Sequence, residues 1–237
     1  MSYLQESVTD GVMLLELDRP PANAMDLALL EELCERFSAL AAEPPGAVVI
    51  AGRHGFFSGG VDLKAVPTYG PDEQRRMVEG INRMVLVGYG LPCPVIAAVT
   101  GHAIAGGLVL ALCADHRIAS EVGRHGLTEV KVAVPYPAAA IGVVRAELSA
   151  GAARQLVLGS ELTGAAECQA LGVFDEVVAA EDVVPRALEV AGRLAEFPAE
   201  VYARSKRDLR APALTAMREA VTVDPLLAAW TNGGGSA

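Results

Sequence analysis

Hydrophobic residues fall along this chain in two rhythms. VMLLELDRP, from Val12, is a short apolar run ended by charge and proline, and reads as a strand leaving into the loop RPPANAMD. AVVIAG at 47–52 and PVIAAV at 94–99 are apolar throughout, the pattern of strands buried on both faces. Between them the period changes. From Leu27, the residues Leu30, Leu33, Phe37 and Leu40 recur at helical spacing, with Glu31, Glu32, Glu35 and Arg36 on the wet face and Asp26 placed to cap the first turn. Met77, Ile81, Met84 and Val85 carry a second such stripe, and TGHAIAGGLVLALCADHRIA predicts a turn, a buried helix and a short strand. From Ala138 the chain is nearly all helix-forming. Ser149 is a cap for SAGAARQLVLGS, AAECQALG stops at Gly172, and EDVVPRALEVAGRLAEF has an apolar stripe at Val184, Leu188, Val190 and Leu194. That stripe fits a subunit interface or an intrachain core equally.

Alternating strands and amphipathic helices imply an α/β fold whose crossovers cover both faces of a sheet. The expected organisation is a core over 1–140 carrying the site, a helical region over 141–230, and a tail over 231–237 whose NGGGSA composition is that of a flexible linker.

Composition narrows the function more than the fold. Hydrophobic residues make up 52% of the 237, which describes a folded interior. A formal charge of -10 argues against a general affinity for nucleic acid or acidic membranes, although a local basic pocket could still hold an anion. Cys34, Cys93, Cys113 and Cys168 form no C-x-x-C pair and read as reduced, buried thiols, and no His/Cys/carboxylate spacing suggests a metal. The start, MSYLQESVTD, lacks a basic stretch followed by an apolar one, and no run reaches the roughly 18 apolar residues of a membrane span, so a cytoplasmic protein is expected.

The candidate chemistry lies in two turns, FFSGGVDLK and GHAIAGGLVLAL, each with a glycine pair between a buried strand and an apolar segment. Backbone N–H groups left unpaired near a helix N-terminus favour negative charge, so two such turns facing each other would form an oxyanion pocket. Glycine also serves close packing and tight turns, so each turn alone is equally compatible with a structural role. Neither turn has the spacing of a dinucleotide or phosphate loop.

In order along the chain, RPPANAMD, FFSGGVDLK, PVIAAVTGHAIAGGLVLALCADHRIA, GLTEVKVAVPYP and AAECQALGVFDEVV resemble the crotonase, or enoyl-CoA hydratase/isomerase, superfamily. The resemblance implies a ClpP/crotonase fold of repeated ββα turns with a C-terminal helical region used in trimerisation. It implies an acyl-CoA thioester as substrate, with coenzyme A as part of that substrate and no other cofactor, and a homotrimer or dimer of trimers. The backbone amides of Val61 and Gly106 correspond to the oxyanion donors. Asn23, Ala24, Gly60, Asp62 and Lys64 fall in the segments that resemble the coenzyme A edge, where Lys64 is either a phosphate contact or a solvated lysine.

The family's hydratases hold water between two glutamates. Here Val109 stands at the first position and Glu129, in GLTEVKV, at the second. One carboxylate suffices to carry a proton between C2 and C4 of an enoyl thioester, a pattern similar to the family's Δ3,Δ2-enoyl-CoA isomerases. A hydratase with unconventional water activation and a non-catalytic acyl-CoA-binding homologue are the alternatives. Val109, Val130, Val132 and Val134 are expected to line an apolar pocket that raises the Glu129 pKa. Asp115 and His116 read as structural, His102 as hydrogen-bonded structure or a residue lining the cleft, His125 as exposed or as an influence on the charge of Glu129, and His54 has no evident partner; Tyr136 reads as either a buried, hydrogen-bonded side chain or a contact to the acyl group.

Overall fold

The structure, a computed structural model, describes residues 2–228 and 230. The chain opens with a hairpin of β1 (Leu4–Thr9) and β2 (Val12–Leu17), whose antiparallel pairing runs from Leu4↔Leu17 to Thr9↔Val12. Its two-residue turn, Asp10-Gly11, takes φ 50° and 77°. Positive φ at both positions is what a hairpin twisted like its strands requires, and Asp-Gly supplies it. β1 is exposed after Leu4, so no apolar alternation announces it.

Three ββα units follow. The first comprises β3 (Ala47–Gly52) and β4 (Phe56–Ser58), after α1 (Leu27–Ala42), and ends in α2 (Pro71–Tyr89). The second is β5 (Val95–Val99), β6 (His102–Ile104) and α3 (Gly106–Leu112), and the third β7 (His116–Ser120), β8 (His125–Gly126) and α4 (Ala138–Glu147). In each unit the first strand joins a six-stranded sheet, ordered β1-β2-β3-β5-β7 and completed by β9 (Glu176–Val178), while the second joins a parallel three-stranded sheet, β4-β6-β8. The glycine turns therefore leave the small sheet side by side.

Both faces of the large sheet are covered, as the uninterrupted apolar strands require. Val48, Ile50, Val95, Ala97 and Val99 face one core with α1, α2 and α3; Ala47, Val49, Ala51, Ile96 and Ala98 face a second. That second core is closed by α7 (Val183–Ala195) through Val183, Ala187, Val190 and Ala191, one face at helical spacing. Of the stripe at Val184, Leu188, Val190 and Leu194, Val190 is part of this core and the other three, half-buried, pack against its edge.

The second half, expected to be nearly all helical, also contains one short strand. Beside α4, α5 (Ala150–Gly159), α6 (Ala165–Ala170), α7 and α8 (Ala199–Thr222), it supplies β9, which pairs with β7 through Ala119↔Val177. A three-residue strand is too short to carry a period of its own. Helix starts follow the local chemistry: Asp26 accepts from Leu29 N at 2.9 Å, and Ser149 from Ala152 N at 3.2 Å. No described helix is long and apolar enough to cross a membrane. The tail at 231–237 lies outside the described residues.

Candidate active site

The first glycine turn is held almost bond by bond. Gly59 N donates to Ala22 O at 2.8 Å, Gly60 N to Ser58 Oγ at 3.1 Å, and Asp62 N to Met25 O at 2.9 Å, while Gly60 O accepts from Met25 N at 2.7 Å. The N–H between them, that of Val61, meets no acceptor among the described residues. In the second turn Ala105 N donates to Gly126 O at 2.8 Å, and Ala105 itself takes φ 51°, ψ -124°. Gly106 then opens α3, where a first-turn N–H has no partner within its own helix.

The two free amides are neighbours. A methyl group on Gly106 would lie 3.8 Å from the Val61 nitrogen, and one on Gly60 would lie 2.9 Å from the Gly106 nitrogen and 2.7 Å from Ile104 O. Gly60 sits at φ 80°, so glycine is needed there both for conformation and for room. One step on, a methyl on Gly107 would be 2.2 Å from Ser58 O, which is how closely α3 presses on β4.

Val61 and Gly106 line a cavity of about 120 Å³ that also contains Val109 and Glu129. Glu129 follows β8 in a turn fixed by Val132 N and Val134 N, which donate to its carbonyl at 3.2 and 2.9 Å. Ser160 secures that turn from outside, its hydroxyl accepting from Lys131 N at 3.0 Å and donating to Leu127 O at 3.3 Å. Glu129 is buried, at 7% exposure, and this burial raises its pKa above the ordinary carboxylate value. The Tyr136 hydroxyl beside it acts in the opposite direction, favouring the charged form. Yet neither Glu129 Oε2 nor the Tyr136 hydroxyl makes a hydrogen bond of ordinary geometry. Two buried polar atoms without partners, in an otherwise apolar cavity, are a place where a ligand atom or water gains by binding.

Among the described residues, Glu129 is the one carboxylate lining this cavity, and Val109, fully buried, occupies the wall from α3. The rest of the wall differs from expectation. Val132 and Val134 line it, but Val130 is 54% exposed and turned away, and its place is taken by Leu63, Ile81, Ala140 and Trp230. These come from four separate segments, so no local motif could have named them.

Four further candidates lie beside the first turn. Asn23 is fully buried at φ 49°; its Nδ2 donates to Arg53 O (3.1 Å) and Phe56 O (2.9 Å) and its Oδ1 accepts from Arg19 N (2.9 Å), which commits the side chain to bracing the loop. Asp62 accepts from Lys64 N and Ala65 N and pairs with Arg19 at 3.0 Å, an arrangement that lowers its pKa despite the opposing effect of burial. The carbonyl of Ala24 accepts from Arg19 Nη1 at 2.9 Å, and Lys64 is exposed. All four lie outside the cavity.

His54 pairs with Asp18 at 2.7 Å, a partner the sequence did not suggest. His102 stacks on Phe56 and accepts from Arg124 N. His125 is buried rather than exposed: it meets Phe174 edge-on, neither ring nitrogen has a partner, and burial pushes its pKa down to about 4. Asp115 holds Lys206 at 2.7 Å and Arg210 at 3.0 Å, fastening α8 to the start of β7.

Two free backbone amides and one buried carboxylate thus line the same cavity, and proteins similar in sequence and fold are known. The probable enoyl-CoA hydratase EchA17 of Mycobacterium tuberculosis is 32% identical over 200 residues, covering 83% of this chain and 76% of its own. A putative enoyl-CoA hydratase of Thermus thermophilus is 36% identical over 185 residues, covering 76% and 70%. Among solved structures, an enoyl-CoA isomerase of M. tuberculosis superposes with a TM-score of 0.87 at 30% identity, covering 96% of this chain and 98% of that one. The same M. tuberculosis protein is also described as the probable enoyl-CoA hydratase EchA3 (TM-score 0.87, 30% identity, 93% and 94% covered). The profile of the enoyl-CoA hydratase/isomerase family matches residues 7–229, and this chain belongs to that family.

Proposed function

We propose that this protein moves the double bond of an enoyl-CoA thioester from Δ3 to Δ2, with Glu129 as the single proton carrier. The observation that carries the reading is the lone carboxylate in the cavity, with Val109 on the wall where a second glutamate would stand. Ionised Glu129 removes a proton from C2, and the C2–H electron pair delocalises into the thioester to give a dienolate. The oxygen of that dienolate is held by the N–H groups of Val61 and Gly106. These donors bind the developing charge more strongly than the neutral carbonyl, which is how they lower the barrier. Glu129, now protonated, returns the proton to C4, leaving the conjugated 2-enoyl thioester and its own carboxylate. No other reactant is consumed. A valine at 109 adds no proton carrier, and the apolar wall keeps the Glu129 pKa raised, which makes the carboxylate a stronger base towards C2 and brings its acid form closer to the working pH.

Ala24, Asp62 and Lys64, on the rim beside the first turn, would meet the coenzyme A moiety, and the subunits would assemble as a trimer or dimer of trimers.

A second reading has its own observation. The unpartnered Tyr136 hydroxyl next to Glu129 Oε2 could hold a water between them, and hydration of a 2-enoyl thioester would follow. Incubating the protein with 3-enoyl-CoA and with trans-2-enoyl-CoA separates the two. The isomerase gains the ultraviolet absorbance of a conjugated thioester from the first; a hydratase loses it from the second, at a rate that Tyr136→Phe would reduce.

A further inference from the structure

Resting on the reading of the cavity as the acyl site, a further property concerns which acyl groups it admits. The end of the cavity away from solvent is formed by Ile81 of α2, Ala140 of α4 and Trp230, each at most 4% exposed. Leu63 and Val132, 49% and 43% exposed, stand at the open side. This floor is stitched by a buried polar network in which each group has its partner. Asp224 Oδ2 accepts from Ala138 N at 2.8 Å and from Asn82 Nδ2 at 3.2 Å, and its Oδ1 accepts from Leu226 N at 3.0 Å. Asn82 Oδ1 in turn accepts from Ala139 N at 2.9 Å. The network joins α2, the start of α4 and the segment leading to Trp230, and the indole of Trp230 is fixed separately by donating to Pro135 O at 3.2 Å.

Satisfied buried networks are costly to open, because every group exposed to the apolar interior loses its partner. The floor is therefore a fixed wall. A dry cavity of about 150 Å³ holds one benzene, six carbons. At about 120 Å³ this one is slightly smaller.

We propose that the site selects short, uncharged acyl groups of about four to six carbons, and that the Asn82–Asp224 network enforces the limit by holding Ile81, Ala140 and Trp230 in place. Longer chains would have to break the network or leave their ends in water.

Calorimetric binding of saturated acyl-CoAs tests this without requiring turnover. The protein is titrated with free coenzyme A and with acetyl-, butyryl-, hexanoyl-, octanoyl- and dodecanoyl-CoA. Affinity should rise roughly fourfold per added methylene from acetyl to butyryl, stop rising by hexanoyl, and fall at octanoyl and beyond. Ile81→Ala, which deepens the floor, should move the maximum towards octanoyl. An affinity that keeps rising through dodecanoyl in the unaltered protein overturns the length limit while leaving the acyl site in place. Acyl-CoAs that bind no better than free coenzyme A at any length overturn the acyl site itself. The outcome is independent of whether the chemistry is isomerisation or hydration.

Discussion

In the proposed reaction the Glu129 carboxyl accepts a proton from C2 and then gives it to C4, so neither protonation state can be strongly favoured. Burial raises its pKa and Tyr136 restrains the rise. Activity that needs the carboxylate should fall as pH drops through the raised pKa, placing the acid limb of kcat/KM above the ordinary carboxylate value. Tyr136→Phe removes a group that favours the charge and should shift that limb to higher pH, as a rate profile would record. The effect on stability has the opposite sense: a raised pKa means that the folded state binds this proton more tightly. Its contribution is therefore present below the unfolded value and lost as pH rises through the folded one. His125 works the other way. With its pKa near 4 in the fold against 6.5 unfolded, its contribution is present above 6.5 and lost as pH falls towards 4. Denaturant titrations at pH 7 and pH 4.5 should therefore differ less in His125→Phe than in the unaltered chain. Glu129, Val61, Gly106 and Val109 were legible because ordered motifs locate them. Tyr136 was left open and Trp230 unnoticed, since contact with the cavity depends on how distant segments pack.

At the scale of elements, the glycine turns work as a pair. Gly60→Ala would force a methyl against Ile104 O and the Gly106 nitrogen and strain a φ of 80°. The turns would spread and the two donors would separate. Loss of one such donor typically lowers kcat by about 10²–10³, and steady-state kinetics on Gly60→Ala should show at least that decrease. β3 and β5 could be read because burial on both faces leaves no polar position, and α1 and α2 because one face of each is apolar. β1 escaped notice because its exposed residues carry no period; Asp10-Gly11 was the signal that could have revealed it. β4, β6 and β8 are two or three residues long and exist through pairing with one another, which a local pattern does not encode.

Across the whole molecule, the second half is fastened to the sheet by charge as well as by apolar packing. Lys206 and Arg210, both buried in α8, share Asp115, and Arg210 also donates to the carbonyls of Tyr89, Cys113 and Ala114 while lying 3.9 Å over the Tyr89 ring. Removing one partner of a buried ionic group typically costs about 3–5 kcal/mol. Asp115→Ala should lose stability of that order in chemical denaturation, with two cations left short of a counter-charge. The proposed trimer is a separate question, checked by sedimentation equilibrium: a mass of three or six chains is expected, and a monomer at micromolar concentration would contradict it. The central claim is chemical. The unaltered protein and Glu129→Gln are each given 3-enoyl-CoA while conjugated thioester absorbance is followed. The account predicts that absorbance appears with the unaltered protein and falls in rate by about 10²–10⁴ in the variant; absorbance that never appears, or that appears equally in both, would contradict it.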